Sequence, residues 1–402
     1  MNKNKASKMR ESLNIDNSIA GLIDEIIEIR RYLHQNPELG QKEFNTMNTI
    51  CSFLDKYGIE YEKNVADTGI AALIKGKTTD KVIAVRADID ALPIKEESNV
   101  DFKSHNENVM HACGHDIHTA ILLGLGKLLK LMEKDLKGSV KLFFQPAEET
   151  IGGAERMIKE GCLENPDVDA VLGLHVSSDI EAGKIGIKYG KMYAASDMIT
   201  INVSGVQTHG AYPHDGIDPI VISSNIVMAL QTLVSRNMSP WNSAVFTIGS
   251  MHAGTSGNII PEAAKMTGIS RTLDVKTRKL FQRRLVEICE SIARAYGGKA
   301  EVNIVESYAP LINDDSMVDL VREAAVDSIG ENNIIVMKEP YLGTEDFSYF
   351  AAAKKSCFFS LGIRNEEKGY IHPIHSNKFA ADEDSISIGM KIFLNSILKF
   401  FE

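Results

Sequence analysis

The chain has 402 residues, a formal net charge of −10 and 44% hydrophobic residues, a length and composition that predict a globular protein with two domains. It contains no dense stretch of lysine and arginine, which argues against nucleic acid as a partner. The most apolar helical stretch, residues 121–132, is short and interrupted by lysines, so no membrane span is expected.

The N-terminal segment and the cysteines indicate the cellular compartment. The first 16 residues are polar and of mixed charge, without the apolar segment that a secretory signal needs. The 5 cysteines are odd in number and widely scattered, a pattern that suits a reducing compartment better than a disulfide framework. We therefore expect a cytoplasmic location.

Helices and strands alternate over the first 190 residues and again after Pro310. Helices are predicted at residues 18–34, 43–57, 119–132, 153–160, 315–328, 346–353 and 385–400, and strands at residues 69–75, 81–87, 138–145, 170–176, 334–337 and 357–363. This alternation predicts an α/β domain whose mainly parallel mixed sheet is flanked by helices.

The intervening segment follows a different order. Strands are predicted at residues 197–204, 243–251, 263–272 and 299–305, with helices at residues 218–236 and 275–295. This β-α-β-β-α-β order is that of a ferredoxin-like α+β domain. We therefore expect a catalytic domain of residues 1–190 and 306–402, interrupted by an inserted domain of residues 191–305.

Possible metal ligands follow several of the predicted strands of the α/β domain. Glu148 and Glu149 follow the strand 138–145, His175 ends the strand 170–176, and His375 lies beyond the strand 357–363. Since binding crevices in open α/β sheets lie beyond the carboxyl ends of the strands, we expect these side chains to converge. Asp88 follows another such strand, where an acid commonly orients metal-binding histidines.

Cys113 and His115 are predicted to lie in the loop before the helix 119–132. Cysteine, histidine and carboxylate are ligand types for Zn²⁺ or Mn²⁺. A thiol nucleophile, activated by His115 and the helix N-terminus, is the rival interpretation. That interpretation leaves the two glutamates, His175 and His375 without a role, so the metal interpretation is preferred.

Two adjacent glutamates beside a metal pair suit amide hydrolysis. One of the two carboxylates can bind a metal ion, while its neighbour takes a proton from water. Two metal ions about 3.5–4 Å apart lower the pKa of that water and stabilise the oxyanion, and the nearby glutamate passes the proton to the leaving amine. His111 and His118 flank the same loop and are expected to be structural or to support the ligands.

Motifs in order from Arg30 to Phe379 resemble those of the M20 metallopeptidase family, in its amidohydrolase branch. The motifs are RRYLHQNPELG, RADIDALP, HACGHDIH, FFQPAEET, GLHV, HGAYPHDGIDPI, SGNIIPE, GTEDFSYF and HPIHSNKF. They cover nearly the whole chain. The branch includes N-acyl-amino-acid amidohydrolases, hippurate hydrolases, plant auxin-conjugate hydrolases and N-acetyldiaminopimelate deacetylases.

The resemblance implies a site with two divalent metal ions per subunit, Zn²⁺ or Mn²⁺, with Co²⁺ or Ni²⁺ as alternatives. The implied metal ligands are Cys113, His115, Glu149, His175 and His375. Glu148 matches the general acid/base of the branch. In the wider family a metal-binding histidine usually stands where this chain has Arg86, so the site draws on the Cys-Gly-His segment instead.

The resemblance also gives roles to the inserted domain, which in the family serves as a lid and a dimerisation surface. It implies a homodimer. His209 matches a lid histidine that polarises the scissile carbonyl, often from the partner subunit. Asn258 matches a residue that contacts the substrate, and Arg271 is a candidate for binding a substrate carboxylate.

The expected function is a metal-dependent hydrolase that cleaves the amide of an N-acyl-L-amino acid, N-acetyl or N-aroyl, to a carboxylate and a free amino acid. The partner is thus a small molecule. Three alternatives remain: an N-acetyldiaminopimelate deacetylase, a small-peptide hydrolase of the dipeptidase or carboxypeptidase type, and a catalytically idle protein that has kept the fold.

Overall fold

The computed structural model describes residues 15–402, which form two compact units. The first unit comprises the chain up to Gly190, Ile312–Glu339 and Tyr349–Glu402, and the second comprises Lys191–Leu311 and Pro340–Ser348. Most of the polar N-terminal segment, on which the expected compartment partly rests, lies outside the described residues. Among the described residues, no helix combines the length and apolar character needed to cross a bilayer.

The helices and strands are numbered in chain order. The helices are α1 (Ile15–Ala20), α2 (Ile23–Gln35), α3 (Phe44–Tyr57), α4 (His115–Leu131), α5 (Ala154–Lys159), α6 (Pro219–Thr232), α7 (Val275–Ala295), α8 (Asp315–Ile329), α9 (Ser348–Ala353) and α10 (Asp384–Phe400). The strands are β1 (Glu60–Val65), β2 (Gly69–Ile74), β3 (Val82–Asp88), β4 (Ser139–Gln145), β5 (Ala170–Glu181), β6 (Ile185–Ile187), β7 (Gly190–Tyr193), β8 (Ala195–Ser204), β9 (Thr208–His209), β10 (Ala244–Ala253), β11 (Ile259–Ile260), β12 (Ala263–Thr272), β13 (Lys299–Glu306), β14 (Leu311–Asn313), β15 (Ile334–Val336) and β16 (Lys355–Arg364).

The first unit is built on an eight-stranded sheet in the order β1-β2-β4-β3-β5-β16-β6-β15. The central strands β4, β3, β5 and β16 are parallel to one another. Strands β1 and β2 pair antiparallel with their neighbours, and β6 pairs antiparallel with β16 but parallel with β15. The prediction of a mainly parallel mixed sheet is therefore confirmed. Because the four central strands run the same way, the residues that follow them meet at one edge of the sheet.

Helix α4 lies in the core of the first unit. Its sequence is apolar on nearly every side, and residues such as Ile121 and Leu125 have no exposed surface, as expected for a helix enclosed by other elements. It packs against α2 and α10. A fully buried side chain of this size contributes about 1.5–3 kcal/mol, so the packing holds the N-terminus of α4 in a defined place.

Two predicted boundaries near the candidate site were wrong. Helix α4 begins at His115 rather than at residue 119, because the carbonyl of Gly114 already accepts the first hydrogen bonds of the helix, from the amides of Ile117 (2.9 Å) and His118 (3.2 Å). Strand β5 continues to Glu181, so His175 lies within the strand rather than at its end. His115 is therefore held by a helix and His175 by a strand paired with β16.

The other differences lie away from the site. The predicted helix 18–34 is two helices, α1 and α2, interrupted at residues 21 and 22. Strand β1 was not predicted, because its sequence EYEKNV is largely polar and exposed and therefore lacks the apolar alternation that marks a half-buried strand. It pairs antiparallel with β2 at the border of the sheet.

The second unit contains the elements β8-α6-β10-β12-α7-β13. Its four strands pair antiparallel in the order β10-β12-β8-β13. The buried side chains of β8, including Ile199 and Ile201, belong to one core with Ile226 of α6 and with Phe281 and Leu285 of α7. Both helices therefore cover the apolar face of this sheet.

Candidate metal centre

The side chain of Cys113 lies at the centre of the predicted ligands in the first unit. Its Sγ lies 3.3 Å from Nε2 of His175 and 3.3 Å from Nε2 of His375. The Nε2 atom of His375 is also 3.0 Å from Oε1 of Glu149. The structure thus brings together side chains that are up to 262 positions apart in the chain.

The five predicted ligands form two overlapping clusters. Within each cluster the potential ligand atoms all lie within 4.8 Å of one another. One cluster contains Cys113, His115 and His175, and the other contains Cys113, Glu149 and His375. The sulfur of Cys113 belongs to both, so it is the group that two neighbouring metal ions would share.

Backbone conformation explains the Cys-Gly-His spacing. Gly114 has a φ of +84°, a conformation that favours glycine. A Cβ atom at this position would lie 2.5 Å from Cγ2 of Val176. Only glycine therefore lets Cys113 and His115 approach strand β5. His375 also has a positive φ, +65°, and its amide donates to the carbonyl of Ala112 (2.8 Å), which fixes it beside Cys113.

Asp90 holds two of the predicted ligands in place. One carboxylate oxygen lies 3.1 Å from Nδ1 of His115, and the other accepts a hydrogen bond from the backbone amide of Glu149 (2.9 Å). A histidine that donates from Nδ1 leaves Nε2 free to bind a metal ion. Asp90 therefore sets the orientation of His115 and the position of Glu149 together.

Asp88 was predicted to orient the ligands, whereas Asp90, which was not predicted, is the acid that contacts Nδ1 of His115. Asp88 accepts from Arg86 (2.8 Å) and lies 2.5 Å from Nδ1 of His118, while its distance to Nε2 of His115 is 3.7 Å. Asp90 stands two positions after Asp88 in the motif RADIDALP. This spacing was a usable signal, since residues two apart in an extended segment point the same way.

The two flanking histidines are buried and differ in their contacts. His118 lies against Asp88 through Nδ1, and its Nε2 accepts from the amide of Val176 (2.9 Å). Both ring nitrogens are thereby engaged, so His118 supports strand β5. Within residues 15–402, the ring nitrogens of His111 make no hydrogen bond, and burial lowers its pKa to about 3. His111 is therefore neutral at physiological pH.

The electrostatics of the site favour a bound cation over a free thiolate. Burial, together with the carboxylates of Glu149 and Glu148, raises the pKa of the Cys113 thiol well above its usual value. A thiol nucleophile needs a lowered pKa and some exposure, whereas Cys113 is only 5% exposed. The nucleophile interpretation is therefore disfavoured. A bound cation would offset the negative charges that contribute to the raised pKa of Cys113.

The histidines of the site fall into two electrostatic classes. Burial lowers the pKa of His175 to about 3, so this ring is neutral at physiological pH, and its Nδ1 donates to the carbonyl of Val176 (2.8 Å), leaving Nε2 directed to Cys113. Burial alone would also lower the pKa of His115, but the carboxylates of Asp88 and Asp90 outweigh it and raise this pKa to about 10. The acids around His115 thus attract positive charge.

An unpaired buried nitrogen shows that the site suits a metal ion. Nε2 of His115 is buried and makes no hydrogen bond within the described part of the chain. Unsatisfied buried polar atoms are costly and uncommon in proteins. A donor set of thiol, imidazole and carboxylate matches Zn²⁺ and other divalent transition metals, so the residues present fit the predicted pair of ions.

We predict that Asp90→Asn weakens metal binding. An asparagine cannot accept from both the imidazole of His115 and the amide of Glu149, because one of its two side-chain atoms is a donor. Loss of such an orienting partner typically lowers metal affinity about 10–100-fold. Titration of the metal-free protein with Zn²⁺ measures the change. Asp80→Asn, at an exposed position, is the matched control, and an unchanged affinity in Asp90→Asn would contradict the assignment.

The remaining sequence-predicted residues lie in the second unit. His209 and Asn258 are exposed neighbours, because β9 pairs with β11 and the amide of Gly210 donates to the carbonyl of Asn258 (2.8 Å). Nδ1 of His209 accepts from the amide of Ala211 (3.0 Å), which places its proton on Nε2. Arg271 is half-buried and donates to the hydroxyl of Ser196.

This chain matches one family model and is similar to enzymes from two organisms. Residues 84–399 match the model of the family described as Peptidase family M20/M25/M40. Thermostable carboxypeptidase 2 of Saccharolobus solfataricus is 40% identical over 391 residues, which cover 96% of this chain and 98% of that protein. N-acetyl-L-cysteine deacetylase of Bacillus subtilis is 39% identical over 369 residues, covering 92% and 86% respectively.

A solved structure extends the similarity to the fold. The Bacillus subtilis YXEP protein, described as a dinuclear metal binding peptidase from the M20 family, aligns with a TM-score of 0.82 and 33% identity. The alignment covers 94% of this chain and 98% of that one.

Proposed function

Because this chain belongs to peptidase family M20/M25/M40 and is therefore a hydrolase, we propose that it cleaves the amide bond of N-acyl-L-amino acids to a carboxylate and a free amino acid. The observation that carries this proposal is the pair of ligand clusters sharing the sulfur of Cys113, with Glu148 beside them. The similarity to an N-acetyl-L-cysteine deacetylase supports the substrate class.

The proposed centre holds two divalent metal ions. In this proposal Cys113, His115 and His175 would hold one ion, and Cys113, Glu149 and His375 would hold the other. The thiolate favours Zn²⁺, while imidazole and carboxylate also accept Mn²⁺. When bound, such ions polarise the amide carbonyl and acidify the attacking water.

Glu148 is proposed to move the proton. It is 7% exposed, and its carboxylate lies in a cluster with His115 and Glu149. It takes a proton from the attacking water as the new C–O bond forms, and it delivers that proton to the amide nitrogen as the C–N bond breaks. The products are then the carboxylate and the free amine of the amino acid. Asp90 keeps His115 and Glu149 in place throughout.

The second unit is proposed to act as a lid and as the interface of a homodimer. His209, with its proton on Nε2, would donate to the carbonyl oxygen of the substrate, and Asn258 and Arg271 would contact the rest of the molecule. Sedimentation velocity tests the dimer. Mixing inactive His209→Ala and Glu148→Gln proteins tests action across it, because only a histidine that serves the partner's site can restore activity in the mixture.

A second candidate function is a carboxypeptidase. The 40% identity to thermostable carboxypeptidase 2 over nearly the whole chain favours it. The same centre would hydrolyse a peptide bond, because acylated amino acids and C-terminal residues of peptides share the amide and the free carboxylate. The two functions differ in the group on the acyl side of the cleaved amide, which is a simple acyl group in one and a peptide in the other. The substrate of an N-acetyldiaminopimelate deacetylase differs instead in the amino acid that is released.

Substrate profiling after loading with Zn²⁺ or Mn²⁺ tests the proposal. The panel contains N-acetyl-L-cysteine and other N-acetyl amino acids, N-benzoylglycine, N-acetyldiaminopimelate and blocked dipeptides. We expect the N-acyl amino acids to have a kcat/KM at least about tenfold above that of the dipeptides, equivalent to a transition-state difference of about 1.4 kcal/mol. The reverse order supports the carboxypeptidase, and no turnover by folded, metal-loaded protein supports an idle one.

A further inference from the structure

The turn that carries Glu148 has an unusual backbone conformation. Ala147, directly before it, has a φ of +58° and is fully buried. This left-handed conformation is costly for a residue with a side chain, and it persists only where surrounding contacts enforce it. The carbonyl of Ala147 accepts from the amide of Gly152 (2.9 Å), which closes the turn on its far side. The amide of Ala147 is held by a contact from a different segment of the chain.

That contact is made by Glu43, which precedes helix α3. One carboxylate oxygen of Glu43 accepts from the amide of Ala147 (2.8 Å), and the other accepts from the hydroxyl of Thr68 (2.7 Å). Neither Glu43 nor Thr68 has exposed surface. Within residues 15–402, Glu43 has no cationic partner, so both hydrogen bonds serve to stabilise a buried carboxyl group.

Two carboxyl groups therefore hold the backbone on either side of Glu148. Glu43 binds the amide of Ala147, one residue before it, and Asp90 binds the amide of Glu149, one residue after it. The two acids come from different segments and are close enough for the charge of Asp90 to contribute to the raised pKa of Glu43, which is caused mainly by burial. Together they leave the backbone at residue 148 little freedom.

We propose that Glu43 is a positioning residue for Glu148. It accepts the amide hydrogen of Ala147, keeps that residue in the left-handed conformation and so directs the carboxylate of Glu148 to the site. This inference rests on the proposed role of Glu148 as the base. Asp90 touches the predicted metal ligands, whereas the hydrogen-bond partners of Glu43 are Ala147 and Thr68. The effect of Glu43 is therefore on turnover rather than on metal binding.

In this proposal Glu43 acts through its hydrogen bonds rather than through its charge. A glutamine at position 43 would keep an oxygen for the amide of Ala147, and its NH₂ group would donate to the hydroxyl of Thr68, which can accept as well as donate. An aspartate would keep the charge but is one methylene shorter, so it cannot reach both partners. Glu43→Gln and Glu43→Asp thus separate geometry from charge.

The experiment compares these variants in the metal-loaded enzyme. The substrate is whichever of N-acetyl-L-cysteine, N-benzoylglycine and the blocked dipeptides the parent cleaves fastest. We expect Glu43→Ala to lower kcat about 100-fold and Glu43→Asp at least about tenfold, since small misplacements of a catalytic group have effects of this size. KM and the metal content per chain should stay at the parent's values. Glu43→Gln should keep kcat within about threefold of the parent.

Thr68→Val is the control for a purely structural role. It removes one hydrogen bond from Glu43 but leaves the bond to Ala147, so it should lower the melting temperature and keep kcat within about threefold of the parent. The proposal is overturned if Thr68→Val loses as much kcat as Glu43→Ala. It is also overturned if Glu43→Asp is active and Glu43→Gln is not, or if the loss of kcat follows a loss of bound metal.

A double variant shows whether Glu43 acts through Glu148. Residues that act as one unit have non-additive effects, so Glu43→Ala should cause no further loss of kcat in the Glu148→Gln background. A further loss as large as in the parent would show that Glu43 acts elsewhere and would overturn the inference. Failure of the proposed function looks different, because Glu148→Gln by itself would then keep the turnover of the parent.

Discussion

Glu148→Gln is expected to lower kcat by about 10³-fold while both metal ions stay bound, a loss within the range of general acid/base catalysis. Glutamine has nearly the same shape as glutamate but cannot take a proton from water at neutral pH. The two clusters that share Cys113 supply the proposed ligands of both ions without Glu148, so we expect both ions to stay bound. Steady-state kinetics together with metal analysis of the purified variant measure both quantities.

Two further variants make this result specific. Glu107→Gln makes the same change at an exposed position and should behave as the parent. Glu149→Gln alters a proposed ligand and should lose metal as well as turnover. The base assignment fails if Glu148→Gln turns over any cleaved substrate at a near-normal rate. It fails equally if Glu148→Gln loses metal to the same extent as Glu149→Gln, since Glu148 would then be a ligand.

Cys113→Ser is expected to weaken both metal sites at once and to lower kcat/KM by more than about 100-fold. Loss of a residue that only orients a ligand already costs about 10–100-fold in affinity or activity, and the sulfur of Cys113 belongs to both clusters. A serine hydroxyl is a poor substitute, because a thiolate binds these metals as an anion. Titration of the metal-free variant with Zn²⁺ should show that both binding steps are weakened.

His375→Ala is the informative comparison for this prediction. His375 belongs to one cluster only, so its removal should weaken one binding step and leave the other near the parent's affinity. Cys51→Ser, which removes another buried thiol of the first unit, should change neither step. If Cys113→Ser keeps both ions at full affinity but is inactive, the thiol acts in the chemistry and the shared-ligand assignment is wrong.

The sequence contained the ligand types and most of the order of elements, because both depend on local patterns. Hydrophobic periodicity marked the strands of the sheet, and the direction of parallel strands predicted that the residues after them would meet. The glycine between Cys113 and His115 is part of the same local information, since its left-handed conformation is a property of the backbone at that point. The two glutamates after β4 likewise stood out as a pair.

The supporting contacts could be found only in the tertiary structure. Glu43 precedes helix α3, where a polar residue normally indicates a cap, yet its side chain makes no capping hydrogen bond and instead reaches Ala147, 104 positions later. Asp88 and Asp90 are equally suitable acids in the sequence, and only the tertiary structure shows that Asp90 contacts Nδ1 of His115 while Asp88 contacts Nδ1 of His118. The position of the Cys113 sulfur in both clusters is likewise visible only in the folded chain.

What the sequence determined by itself was therefore the family resemblance, the mixed parallel sheet and the set of residues available for the site. The tertiary structure decided which acid orients which ligand, where α4 and β5 begin and end, and how the turn before Glu148 is held. The physical reason is the distance along the chain over which each interaction acts. Periodicity and backbone preference act over a few residues, whereas a hydrogen bond between distant segments depends on the packing of the whole unit.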